Sequence, residues 1–225
     1  MATAYFFERI VDMTKAETDQ QHIDILIHNC PAIPDRTQYI LGKSEDNPLE
    51  LMGQIGSKLA KEVDILAIPC ITAHYFHEEL EKMVGMPIIH AVRETAHYLH
   101  EHHYDRVGVM ATDATVEMGI FEKELEKYGI ECLYPDKQGQ KDVMHLIYHN
   151  VKAGCAIEQP LLDSVSQNLF DRGAQAIILG CTELSMIKKH NMIGAGYLDV
   201  TEVLAKCCVE KCSVLKEEYR ELISV

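Results

Sequence analysis

Apolar positions recur along this chain with two alternating periodicities. Ala4, Phe7, Ile10 and Val11 follow a helical repeat and predict a helix over 2–18. "HIDILIHN" (22–29) then reads as a strand. "CPAIPDRTQYILGKSEDNP" carries three prolines and is predicted as a loop, long enough to suggest function. A helix is predicted over 48–62, with Pro48 in its first turn. Further strands are predicted at "DILAIP", "MPIIH", "DRVGVMAT", "IECLYP", "AQAIILG" and "GYLDV". Helices are predicted between and after them, over 74–83, 91–103, 113–129, 139–153, 157–172, 182–190 and 201–222.

This alternation predicts an α/β fold with mainly parallel sheets flanked by helices. Two segments share one grammar: "ILAIPCITAHYF" (65–76) and "AIILGCTELSMI" (176–187). They predict two similar lobes with the active site in the cleft between them. Residues 1–92 with 195–225 are assigned to the first lobe, and 93–194 to the second. Ligands in such folds collect at strand carboxyl ends, where Cys70 and Cys181 both fall.

Composition narrows the partners. A formal charge of −14 argues against nucleic acid and anionic membrane surfaces. No apolar run approaches the roughly 18 residues of a membrane span. The amphipathic, acid-bearing N-terminus is unlike a signal peptide. Eight irregularly spaced cysteines then read as reduced thiols of a cytoplasmic protein. Cys207, Cys208 and Cys212 read as buried thiols on the last helix. Cys30 lacks the strand–Cys–helix context. His97 and His100 could share a helix face but are too few for a metal site. No metal is expected.

A thiol at a helix N-terminus meets free N–H groups and the positive dipole end, which predicts a lowered pKa at both cysteines. Two such groups on opposing lobes can hold one carbon between them. One removes a proton from one face while the other delivers a proton to the opposite face. The outcome is inversion of a stereocentre without a cofactor. The competing reading makes both cysteines small buried hydrophobes.

The sequence here resembles the cofactor-independent aspartate/glutamate racemase superfamily, in its aspartate racemase-like branch. The resemblance rests on "PCITAH" (69–74), "GCTEL" (180–184), "PDRT" (34–37), "IYHNVKAG" (147–154) and "MATDAT" (110–115), in order along nearly the whole chain. It implies Cys70 and Cys181 as the acid–base pair, with Arg36 and Lys152 holding substrate carboxylates. Thr72, Thr112, Thr115 and Thr182 are candidate substrate donors or N-caps. Tyr148 is a candidate cleft residue, and Glu183 and Asp35 could orient a thiol or the substrate ammonium. The implied partner is a small amino acid, dicarboxylic by preference, and the implied assembly a homodimer. The resemblance also implies Asn where Ile71 stands. It further implies a strand and a Gly-Gly-Met turn ahead of "MAT", absent from this sequence, which predicts an exposed sheet edge in the first lobe. Lyase or cis–trans isomerase chemistry and a non-catalytic amino-acid-binding module remain open alternatives.

Overall fold

The computed structural model describes residues 2–190 and 193–224. Met1, where the implied turn would join the chain, lies outside them. Helix α1 (Ala2–Met13) buries Tyr5, Phe6, Ile10 and Met13 along one face. The segment 22–29, expected as a strand, belongs to no regular element. Its apolar residues give it strand character, but among the described residues no neighbouring strand supplies a hydrogen-bond ladder. Leu26 and Ile27 stay 49% and 45% exposed. A cavity of about 480 Å³ lies between this segment and the first strand, β1 (Leu66–Ala67).

The fold is α/β, with two sheets of parallel strands flanked by helices, among them α3 (Pro48–Leu59), α4 (His77–Val84) and α9 (Gln159–Asp171). β1 pairs with β2 (Ile88–Ile89). The second sheet has the order β4-β3-β5-β6, made of β3 (Arg106–Met110), β4 (Glu131–Leu133), β5 (Ala176–Leu179) and β6 (Tyr197–Asp199). Its centre is apolar on both faces, as a helix-covered parallel sheet requires. Val107, Val109, Met110, Ile177 and Ile178 are fully buried there. Among the described residues no helix is long and apolar enough to cross a membrane.

Several predicted elements change in the structure. Within residues 195–225, β6 pairs with β5 and completes the four-stranded sheet. The buried strand finds its ladder on the open edge of β5. The following helix, α11 (Val200–Cys212), packs against α1 and α5 (Ala91–Glu101). It stops ten residues early because the chain turns back at Ser213. Lys15 N–H donates to Val214 O at 2.8 Å, and Lys216 N–H donates to Met13 O at 2.9 Å. The helix expected over 113–129 breaks at Gly119, whose φ of +60° separates α6 (Asp113–Glu117) from α7 (Ile120–Glu126). The helix expected over 139–153 is α8 (Lys137–His145), which widens into a π-helical turn, Leu146–Lys152.

Candidate active site

Each cysteine sits where a strand ends. β1 runs into Pro69, which has no N–H to continue a ladder. Cys70 follows in an extended conformation and leads into a 3-10 helix, Ile71–Phe76. β5 runs into Gly180, and Cys181 then occupies the N-cap of α10 (Thr182–Lys189). Gly180 N–H donates to Met110 O at 2.8 Å. A Cβ at Gly180 would lie 2.8 Å from Phe121 Cε2 and 3.1 Å from both Ala111 Cβ and Met110 O. Glycine therefore lets the strand end close against β3 beside the thiol. Gly180→Ala is expected to cost about 1–3 kcal/mol through overpacking, read as a lower urea midpoint with an unchanged slope.

Both cysteines border one cavity of about 430 Å³. Arg36, Lys152, Thr72, Thr112, Thr182 and Glu183 border it too. Arg36 opens α2 (Arg36–Ile40), inside the region expected to be loop. Its Nη1 donates to Pro34 O at 2.9 Å and to Ile33 O at 3.3 Å, and its Nε lies 3.4 Å from Cys70 Sγ. These contacts set a permanent cation against the first sulfur. Burial works against that charge, but the neighbouring Cys70, Asp35 and Glu183 hold Arg36 above its ordinary value.

The second sulfur has an opposite environment. Cys181 Sγ–H donates to Glu183 Oε2 at 2.9 Å, and Thr182 Oγ1–H donates to the same oxygen at 3.1 Å. Burial, then the Glu183 charge and its hydrogen bond, push the Cys181 thiol well above the usual thiol range. This corrects the expectation of a lowered value there. Desolvation and one adjacent carboxylate outweigh a helix N-terminus.

The threonines do not act as simple caps. Thr72, Thr112 and Thr115 form a buried hydroxyl triangle with edges of 2.9, 3.0 and 3.1 Å. Thr112 sits at the N-cap of α6, but its side chain makes no capping bond. The triangle ties the Cys70 turn to the end of β3. Thr115 is fully buried beneath the cavity rather than bordering it. Ile71, where the resemblance implies Asn, is 2% exposed and packs into the main core.

Tyr148 and Lys152 project from the π-helical turn, a distortion often found at functional sites. Tyr148 does not border the cavity but donates its hydroxyl to Asp35 Oδ2 at 3.0 Å. Lys152 Nζ lies 3.3 Å from that same oxygen and 3.7 Å from the centroid of the Tyr148 ring. Asp35 Oδ1 accepts from Thr37 N–H at 2.8 Å and Gln38 N–H at 3.2 Å, capping α2.

Three histidines behind the Cys70 turn escaped the sequence reading, although His74 and His77 stand one turn apart after Cys70. The rings of His74, His77 and His90 lie with centroids 4.4 to 5.9 Å apart. His74 Nε2–H donates to Ile68 O at 3.1 Å, and Arg93 N–H donates to His90 Nδ1 at 3.2 Å. Burial first, then neighbouring positive charge, pushes His74 down to about 3 and His90 down to about 4. The unfolded chain therefore takes up protons below about pH 6.5 that the folded chain refuses. Stability should be complete above that pH and fall as pH drops toward 4. Urea midpoints across this range should slope less in His90→Asn, which keeps the acceptor and cannot titrate.

Two thiols at parallel-strand ends thus border one cavity together with a guanidinium and a carboxylate. The protein matches the Asp/Glu/Hydantoin racemase family over residues 1–208 and belongs to that family. It is 28% identical over 218 residues to the broad specificity amino-acid racemase RacX of Bacillus subtilis (strain 168), covering 92% of each chain. The Picrophilus torridus aspartate racemase structure aligns with a TM-score of 0.81 at 27% identity, covering 97% of this chain and 93% of that one. An aspartate racemase homologue from Pyrococcus horikoshii OT3 shares the fold, with a TM-score of 0.74 at 15% identity over 93% of each chain.

Proposed function

We propose that this protein racemises an α-amino acid by direct proton transfer between its α-carbon and the sulfurs of Cys70 and Cys181. One observation carries this reading: thiols from the ends of two strands in different sheets open onto one cavity. In one direction a Cys70 thiolate, complemented by Arg36, takes the α-proton. Cys181 gives its own proton to the opposite face. The α-carbon leaves with inverted configuration, the proton now on Cys70 and the charge on Cys181. In the other direction the roles exchange, and Glu183 is the acceptor within reach for the proton that Cys181 must first lose.

The intermediate gathers negative charge on the α-carboxylate, where it needs fixed donors in a site shielded from water. Arg36 Nη2 has no protein partner among the described residues and is free to receive that carboxylate. Thr72 and Thr182 border the same space. No cofactor enters this scheme. The test is chiral chromatography of single enantiomers incubated with the purified protein, with no pyridoxal phosphate added. Each enantiomer of a substrate should approach the same racemic mixture. Optical purity that survives across an amino-acid panel would contradict the proposal.

A further inference from the structure

The β1–β2 sheet has one closed edge and one open edge. At the β2 edge, side chains of α4 stand in for a neighbouring strand. Ile88 N–H donates to Glu81 Oε1 at 2.8 Å, and His77 Nε2–H donates to Ile88 O at 2.8 Å. Beyond β1 lies the cavity of about 480 Å³. Ile65, Leu66 and Ala67 line it on the sheet side, and residues 23–28 line it on the other. β1 pairs with β2 alone, and among the described residues no backbone–backbone hydrogen bond engages residues 23–29. Both walls therefore present backbone donors and acceptors that have no ladder partner.

The lining between the walls is apolar, with Phe6, Ile10 and Cys208 contributing. Three exposed large apolar side chains, Phe7, Leu26 and Ile27, gather here. Apolar groups exposed together mark an interaction surface. The exposed carboxylates Asp24, Glu62 and Asp64 line the same slot, and among the described residues no lysine or arginine lines it. An apolar small molecule would cover the side chains but leave both backbone walls unpaired. A strand meets all three features, because its backbone pairs on each side, its side chains fill the apolar lining, and cations on it meet the carboxylates.

We propose that this slot docks an extended apolar peptide with lysine or arginine at its ends, which adds as a strand between β1 and residues 23–28 and joins them into one sheet. Six residues of strand span about 20 Å, which matches the run of residues 23–28. Thr3 and Pro69 border both this slot and the cavity of the two cysteines, so the docked strand lies beside the end of β1 that leads to Cys70. The docking itself needs neither thiol and stands apart from the racemase reading.

The probe is a capped, fluorescein-labelled peptide, Lys-Val-Ile-Val-Ile-Lys, titrated into the full chain and followed by fluorescence anisotropy. It should bind saturably, about tenfold more tightly than the same peptide flanked by glutamates, and the gap should narrow as salt rises. Reversing two exposed charges together, Asp24→Lys with Asp64→Lys, should abolish or invert that preference. Methylating alternate backbone nitrogens of the peptide should weaken binding by about tenfold or more. Amide hydrogen exchange at residues 23–28 should slow in the complex. Equal binding of the methylated peptide would show adsorption to apolar surface without a ladder and overturn the proposal. Equal binding of the lysine- and glutamate-flanked peptides would overturn it too, as would no saturable binding at millimolar peptide. If sedimentation finds a dimer in which residues 23–28 are already slow to exchange, a second copy occupies the slot and the proposal falls.

Discussion

Cys181→Ala should lose interconversion of enantiomers by about 10²- to 10⁴-fold, the range for removing a general acid–base group. It should still exchange the α-hydrogen of one enantiomer with solvent, because Cys70 and Arg36 remain. Cys70→Ala should show the same loss of interconversion and exchange the opposite enantiomer. The pairing of lost inversion with one-sided, mirror-related exchange separates a two-base site from general damage. It is read by chiral chromatography together with proton NMR in heavy water. Equal exchange of both enantiomers by one variant would show that a single group serves both faces.

Arg36→Lys should lower kcat/KM by about 10²- to 10³-fold, the scale of removing one preorganised donor to a developing anion. The charge survives, but the fork does not. Arg36 reaches Pro34 O, Ile33 O and Cys70 Sγ at once while leaving Nη2 over. A lysine ammonium is a single point and cannot hold all of these. Both a raised KM and a reduced kcat are expected, since the group meets the carboxylate in the ground state and more strongly as charge builds. Steady-state kinetics, alongside thermal melts that stay close to the unaltered protein, check this.

The sequence exposed the two cysteines because their surroundings are local. Pro69 and Gly180 end strands, and each thiol immediately precedes a helical turn. The parallel sheets were legible for the same reason: β3 and β5 are short apolar runs between helices. What stayed hidden depends on distant partners or rotamers. Thr72 and Thr112 are 40 residues apart, and nothing near either announces a hydroxyl triangle. The high pKa of Cys181 depends on the Glu183 side chain turning back toward the thiol, which spacing alone cannot specify. The pairing of Asp35 with Lys152 spans 117 residues. Segment 22–29 failed as a strand for the complementary reason: propensity is local, but a ladder requires a neighbour. The last helix misled because an apolar pattern continues past Cys212, where the tail instead bonds to the end of α1.

The most direct measurement is the first turnover of a single enantiomer in heavy water, followed by mass spectrometry of the separated enantiomers. Transfer from one sulfur to the opposite one predicts that the product carries deuterium at its α-carbon while unreacted substrate keeps its hydrogen, from either starting enantiomer. A product that retains the original hydrogen, passed from face to face by one group, would contradict the account.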